Sequence, residues 1–201
     1  MYDSSTLTNQ DYTVGWICAL PLEMAAAGAM LDTEHHHSLQ RNPYDDNTYT
    51  LGRIGVHNVV LACLPTGVTG TISAARVATQ MLSTFQQLRF TLMVGIGGGV
   101  PSQDNDIRLG DIVVSKPTAT FGGVIQYDFG KTVEDGRFER TGFLNRPPNV
   151  LLSAVSNLQA RHIREGHKLV EHLSEMTKRY PNMGLQFAYP GTTHDSLYEA
   201  E

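Results

Sequence analysis

Apolar runs of β-forming residues alternate with helix-forming stretches along the first half of the chain. The run from Thr13 to Leu20 (TVGWICAL) is compact and apolar, which predicts a buried strand. Pro21 follows directly and favours the start of a helix over Leu22 to Leu31, a stretch made almost entirely of good helix formers. Strands alternating with helices indicate an α/β domain with a largely parallel or mixed central sheet.

The next segments continue this alternation. A polar loop is predicted over residues 32–46, followed by two strands over 48–54 and 56–64 that are joined by a tight turn at Gly55. Residues 65–70 (PTGVTG) form a glycine-bearing turn. After this turn, apolar residues recur at spacings of three and four, which predicts an amphipathic helix. These residues are Ile72, Ala75, Ala78, Leu82 and Phe85.

Further along the chain, strands are predicted where short apolar runs occur. Residues 90–96 (FTLMVGI) predict a buried strand that ends in glycines, and residues 111–115 (DIVVS) predict a short strand. Residues 123–129 are a candidate for one more strand. From Pro148 onward the pattern is helical, with a break expected at Gly166.

Composition and charge limit the partners that a chain of this kind binds. With 201 residues, 41% of them apolar and 17% charged, it has the size and composition of one globular domain. A net charge of -5 and a pI near 5.9 argue against a nucleic-acid or anionic-membrane surface. No apolar run approaches the roughly 20 residues that span a bilayer.

The N-terminus and the cysteines bear on localisation. Residues 1–10 are polar, lack the apolar core of a secretory signal and are expected to form a flexible tail before a domain over 11–201. Cys18 and Cys63 lie in apolar, strand-like runs, and we expect buried thiols in a reducing compartment. A cytoplasmic protein follows from these two expectations.

A glycine cluster, Gly95-Ile96-Gly97-Gly98-Gly99, stands at the end of the strand predicted over 90–96. Glycines at a strand's carboxyl end let backbone N–H groups approach a ligand with no side chain in the way. In open α/β sheets this edge is where ligands bind. A tight turn that only needs unusual backbone angles would have the same composition, so the cluster alone leaves both interpretations open.

Several motifs in a fixed order resemble the purine nucleoside phosphorylase and methylthioadenosine nucleosidase family. The motifs are ALPLE at 19–23, TGVTG at 66–70, GIGGG at 95–99, LGDIVVS at 109–115 and QYDFGK at 126–131. Together they span residues 12–131, and the chain looks most like the domain that fungal multidomain receptors carry at their N-terminus. The resemblance implies a three-layer α/β/α sandwich around a mixed, partly barrel-like central sheet.

The resemblance also implies a reaction, which is cleavage of the N-glycosidic bond of a purine nucleoside or nucleotide. Hydrolytic members carry a glutamate at the position of Glu23, where it orients and helps to deprotonate the attacking water. Phosphorolytic members typically carry an arginine there. Since a carboxylate suits a general base and an arginine suits an anion, hydrolysis is favoured over phosphorolysis. Equally, a glutamate in a first helical turn is stabilised by the helix dipole, by about 0.3–1 kcal/mol, so a structural role stays open.

The same resemblance assigns the substrate-binding residues. It implies that the turn of the second motif and the glycine cluster cradle the ribose, through Thr66, Gly67, Gly70, Ile96, Gly97 and Gly98. Tyr127 and Phe129 correspond to an aromatic rim that stacks on the purine or closes a neighbouring subunit's pocket, although they could equally be packing aromatics. A homodimer is implied by the family's habit of assembling. Phosphate stays open as a second ligand.

No cofactor or metal ion is expected. The consecutive histidines at positions 35–37 could not all converge on one ion, so we expect a solvated loop there and no metal site.

Two parts of the family's site are not found between Val150 and Glu201. One is a glutamate that binds the ribose hydroxyls, and the other is an aspartate that protonates N7 of the leaving purine. We therefore expect a C-terminally truncated domain whose sheet is missing its last strands. Enzymatic activity follows from the family but stays open for this length. The alternatives are a non-catalytic purine-binding or signalling module and an inactive fragment of a longer receptor-like protein.

Overall fold

The computed structural model describes residues 7–36, 40, 42–102, 105–134, 136–189, 191–194 and 196. The strands, in chain order, are β1 (Val14–Cys18), β2 (Thr33–His35), β3 (Tyr49–Ile54), β4 (His57–Cys63), β5 (Phe90–Met93), β6 (Gly130–Thr132) and β7 (Phe138–Arg140). The helices are α1 (Pro21–Ala29), α2 (Thr71–Thr84), α3 (Asn149–Glu165), α4 (Leu169–Arg179) and α5 (Pro181–Gln186). Short 3₁₀ turns lie at Asn9–Asp11 and Thr192–His194.

The chain divides into two compact units, one made of Met1–Gly99 with His172–Ala188 and the other of Val100–Glu171 with Tyr189–Glu201. The first unit contains a five-stranded sheet in the order β2-β3-β4-β1-β5. Strand β1 pairs in parallel with both β4 and β5, whereas β3 pairs antiparallel with β2 and β4. The predicted mixed central sheet is confirmed.

Each face of this sheet has its own hydrophobic cluster. Because successive side chains of a strand point to opposite faces, residues of β1 and β4 alternate between the two clusters. This alternation places α1 and α2 on opposite sides of the sheet, as in a three-layer α/β/α arrangement. The α2 side contains Tyr12, Ile17, Leu51, Val60, Ala62, Leu64, Val77, Met81 and Phe85, and the α1 side contains Val14, Cys18, Ala27, Leu31, Val59 and Leu61.

Helix α2 forms where the sequence predicts it, but its buried face agrees only in part with the predicted one. Phe85, just past the helix, is fully buried as expected, whereas Ile72 is 88% exposed and Ala75 is also exposed. The buried face of the helix itself is centred on Val77 and Met81. Both sets of residues have helical spacing, so periodicity alone does not choose between two neighbouring apolar stripes.

The predicted loop over 32–46 contains the edge strand β2. This strand pairs only with β3, and its residues Thr33, Glu34 and His35 are polar. Edge strands tolerate polar residues because one of their sides faces solvent, so hydrophobic alternation gives no signal. The hydroxyl of Tyr12 lies 2.8 Å from Nδ1 of His35, which ties the strand to the core.

Two strand predictions in the second unit are wrong. Residues 111–115 and 123–129 adopt no strand, and the regular β-structure here is the antiparallel hairpin of β6 and β7. The apolar side chains of Ile112 and Val113 are 68% and 72% exposed. The predicted break at Gly166 is confirmed, because this residue ends α3 with a φ of 74°.

The cysteines agree with the expectation of free thiols. Cys18 of β1 is fully buried and lies beside the partly buried Cys63 in the parallel register of β1 and β4. Burial is the main cause that raises the pKa of the Cys18 thiol to about 11. Separately, none of the helices in the described part of the chain is long and apolar enough to cross a membrane.

The two sides of α2 give a direct test of this packing. Met81→Ala should lower the free energy of unfolding by about 2–5 kcal/mol, because the Met81 side chain is fully buried and its removal leaves a cavity in the core. Ile72→Ala, which truncates a large apolar side chain exposed on the same helix, should change it by less than about 0.5 kcal/mol. Urea unfolding followed by circular dichroism measures both. Equal losses would contradict the assigned face.

Candidate active site

Three neighbouring parallel strands end at one edge of the sheet. Strands β4, β1 and β5 lie side by side in the same direction, so the loops that follow them leave from the same edge. The segments that follow the strands are residues 64–70, 19–23 and 94–98, and the second of them ends in the first turn of α1. The topology therefore brings together Glu23, the predicted ribose turn and the glycine cluster, all within the first unit.

The carboxylate of Glu23 connects two of these loops. Its Oε2 accepts hydrogen bonds from the backbone N–H groups of Ala19, at 2.8 Å, and Leu20, at 2.9 Å. Its Oε1 accepts a hydrogen bond from the backbone N–H of Ile96, at 2.7 Å. Glu23 is only 8% exposed. One buried carboxylate thus joins the corner between β1 and α1 to the loop after β5.

Local sequence explains why Glu23 reaches this position. Pro21 is the first residue of α1, and its fixed φ is suited to a helix start. Leu20 is the extended N-cap residue and has no polar side chain to cap the helix. Glu23 is the third helical residue, from which a glutamate side chain reaches back to the N-cap N–H. The negative charge is also favoured by the helix dipole.

These contacts determine the charge of the carboxyl group. Burial raises the pKa of Glu23, but the hydrogen bonds from the N–H groups of Ile96, Leu20 and Ala19 lower it more, so the pKa lies below its ordinary value of 4.5. Glu23 is therefore ionised at neutral pH. A carboxylate has about four lone-pair positions, and three are filled by backbone N–H groups. One acceptor position is left on Oε1, which suits a single O–H donor.

Three participants in this arrangement were missed by the sequence analysis. The N–H groups of Ala19 and Leu20 lie in the ALPLE motif but carry no side-chain signal. Gly95 lies under the carboxylate, and a Cβ placed on it would be 2.6 Å from Oε1 of Glu23. The capping-box position of Glu23 could have indicated the first two contacts. The contact between Gly95 and Glu23 depends on how close the ends of β1 and β5 lie in space, which cannot be read from the sequence.

The remaining predicted residues at this edge are exposed. Gly67 and Gly70 have φ angles of 79° and 94°, so both are needed by the turn itself. Gly97 and Gly98 have open space where a Cβ would be, with nothing within 4 Å. Thr66 and the side chain of Ile96 are also exposed.

The predicted aromatic rim lies in the second unit. Tyr127 is 82% exposed and Phe129 is 55% exposed. Phe129 lines a cavity of about 400 Å³ in this unit together with Phe121, Phe143 and Arg140. The guanidinium carbon of Arg140 lies 5.5 Å from the ring centroid of Phe121. Aromatic and aliphatic side chains thus line the cavity, with one cationic group in its wall.

A separate cavity of the first unit does not contain Glu23. It has a volume of about 670 Å³ and is lined mostly by polar residues between Glu34 and Leu51, with Thr84. Of the three consecutive histidines, His35 lies in β2, His36 is exposed and His37 is outside the described residues. Within the described residues, no group of three or more histidine, cysteine or acidic side chains could hold a metal ion.

The fold is that of an α/β protein with a mixed central sheet, and comparison with known families agrees with the motifs. A family model described as the phosphorylase superfamily matches residues 13–172. This match covers most of the chain, and the chain belongs to the phosphorylase superfamily.

Individual relatives are much longer than this chain. It is 52% identical over 195 residues to a nucleotide-binding leucine-rich repeat (NLR)-like protein of Hyaloscypha variabilis, a match that covers 96% of this chain and 19% of the relative. It is 29% identical over 129 residues to the 5'-methylthioadenosine/S-adenosylhomocysteine nucleosidases of Mycobacterium bovis and Mycobacterium tuberculosis, covering 61% of this chain and 41% of each enzyme. No solved structure matches the chain.

The contacts of Glu23 predict a pH-dependent contribution to stability. Glu23→Gln should lower the free energy of unfolding at neutral pH by about 1–3 kcal/mol, because an amide NH₂ replaces an acceptor that faces backbone N–H groups. The folded pKa is depressed, so the contribution of the carboxylate is present above 4.5 and lost as pH falls through the folded pKa. The difference between wild type and variant should therefore shrink below pH 4.5. Urea unfolding as a function of pH measures it.

A matched control is Glu171→Gln, because Glu171 is also the third residue of its helix but is exposed. This variant should cost less than about 1 kcal/mol, the scale of a helix-dipole interaction. If the two variants lose the same stability at neutral pH, the three hydrogen bonds do not hold the edge together.

Proposed function

We propose that the edge around Glu23 is a nucleosidase-type site that hydrolyses the N-glycosidic bond of a purine nucleoside or nucleotide. The observation that carries the proposal is the buried, ionised carboxylate of Glu23, which keeps one acceptor position at the strand edge. Membership of the phosphorylase superfamily and the 29% identity to enzymes named as nucleosidases support this chemistry.

Glu23 positions the attacking water. The remaining lone pair of Oε1 accepts an O–H of water, and this directs the water oxygen towards the anomeric carbon of the ribose. Fixing a nucleophile in this way removes much of the entropic cost of the reaction. Because the pKa of Glu23 is lowered, the carboxylate is a weak base, and it orients the water first and takes its proton only as the C–O bond forms. The base departs with the electron pair of the N-glycosidic bond and is protonated from solvent, which balances the proton that water loses.

The charge of the edge favours water over phosphate as the nucleophile. Residues 19–23, 64–70 and 94–98 contain no arginine, lysine or histidine, so these three loops offer no cation for an anion. The carboxylate of Glu23 is ionised and would repel phosphate in a site of low dielectric. Hydrolysis is therefore favoured over phosphorolysis.

The loops beside Glu23 have the open backbone that a sugar needs. The turn of Thr66, Gly67 and Gly70 and the backbone of Gly97 and Gly98 would cradle the ribose, since side chains leave this edge clear. By family resemblance, the exposed rings of Tyr127 and Phe129 would stack on a purine, and a homodimer in the cytoplasm is the working arrangement.

A second candidate function is a purine-binding module without catalysis. It is favoured by one observation, which is the 52% identity to a protein named as a nucleotide-binding leucine-rich repeat (NLR)-like protein, a name that describes binding rather than cleavage. A binding module would retain purine nucleosides without releasing base.

Chromatographic detection of free base separates these functions. Adenosine, inosine, methylthioadenosine, AMP and ATP are incubated with the chain, with and without phosphate. We expect base release that does not require phosphate and that falls by about 10²-fold or more in Glu23→Gln. The exposed control Glu171→Gln should keep wild-type activity.

Three outcomes contradict the proposal. Release that requires phosphate would restore phosphorolysis, and full activity of Glu23→Gln would remove the role of the carboxylate. Calorimetric binding of a purine nucleoside by a folded sample that releases no base would instead establish the binding module.

A further inference from the structure

We propose that Gly95 is the positioning residue for the Glu23 carboxylate. The absence of a side chain at position 95 lets the carboxylate lie directly against the loop after β5 and accept the N–H of Ile96. The catalytic consequence of this placement rests on the proposed function. The placement itself rests only on geometry, and it is tested without measuring activity.

The contact between Gly95 and Glu23 is close. An ideal Cβ built on Gly95 would lie 2.6 Å from Oε1, 2.9 Å from Cδ and 3.1 Å from Oε2 of Glu23. These are its three nearest heavy atoms, so the carboxylate is the first group that a side chain at this position would meet. An alanine would have to push the carboxylate away from the Ile96 N–H, to which it bonds at 2.7 Å.

Backbone conformation does not explain why position 95 is a glycine. Gly95 is not among the glycines with positive φ, unlike Gly67 and Gly70, so an L-residue fits its backbone. Gly98 in the same loop also has ordinary φ, and a Cβ there would meet nothing within 4 Å. Among Gly95, Gly97 and Gly98 of this loop, only Gly95 has a neighbouring side chain where a Cβ would lie.

The position of the carboxylate determines what Glu23 can do. Held by three N–H groups, it is ionised and has one acceptor position that these hydrogen bonds do not use. If it is displaced, it loses the Ile96 hydrogen bond, which joins the loop after β5 to the start of α1. Gly95 thus acts on the nucleophile site through Glu23 without itself contacting substrate.

A double-mutant cycle tests the placement. Gly95→Ala should shift the unfolding equilibrium of the chain towards the unfolded state by about tenfold or more, since overpacking a filled site is destabilising. In a Glu23→Ala background, Gly95→Ala should change the unfolding equilibrium by less than about threefold, because the carboxylate that would clash with the new Cβ is absent. Gly98→Ala is the control from the same loop and should be close to wild type in folding.

A second readout follows the carboxyl group itself. In protein labelled with ¹³C at glutamate side chains, the Glu23 carboxyl resonance is titrated in wild type, Gly95→Ala and Gly98→Ala. Its pKa should rise towards the ordinary glutamate value in Gly95→Ala, because the Ile96 hydrogen bond is lost. It should stay depressed in Gly98→Ala. A glycine with a purely structural role would destabilise the fold without moving this pKa.

The outcomes remain decisive if Gly95→Ala does not fold. In that case the double variant with Glu23→Ala should fold as well as Glu23→Ala alone. The proposal is overturned if the double variant fails while Glu23→Ala folds, if the two substitutions are additive, or if the Glu23 pKa is unchanged in a folded Gly95→Ala. None of these measurements depends on base release, so loss of the proposed function would leave the result intact.

Discussion

The first unit depends on one buried charge. The Glu23 carboxylate accepts N–H groups from both residues before α1 and from Ile96, which lies 73 positions further along the chain. A buried carboxylate is costly unless hydrogen bonds compensate for lost water, and here backbone donors provide that compensation. Strands β1 and β5 are therefore tied together beyond their last paired residues, at the edge where the parallel strands end.

The structural and chemical interpretations of Glu23 turn out to be compatible. The same contacts that cap α1 also hold the carboxylate ionised and leave one lone pair unused. A group fixed by rigid backbone has little freedom to reorganise, which is the property that favours catalytic positioning. Its lowered pKa nevertheless limits it as a base, so its proposed task is to orient water.

Much of the first unit could be predicted from sequence because its central strands are covered on both faces. The runs in β1 and β4 are apolar at nearly every position, and Pro21 marks the start of the helix after β1. The edge strand β2 was not predicted, because its residues are polar and an edge strand does not need an apolar pattern. The strand predicted over 111–115 failed for the opposite reason, because β-forming residues become a strand only where a neighbour pairs with them. Gly95 was recognised within a motif, but its contact with Glu23 depends on tertiary distance.

The most direct test of the central role of Glu23 is amide hydrogen exchange at Ile96, followed by nuclear magnetic resonance at neutral pH. Ile96 is 69% exposed and lies beyond the last residue of β5, so its protection depends on the Glu23 carboxylate. We predict that this amide exchanges at least about tenfold more slowly than those of Gly97 and Gly98, and that Glu23→Ala removes the difference. Exchange at Ile96 as fast as at the two glycines, and unaffected by Glu23→Ala, would contradict that role.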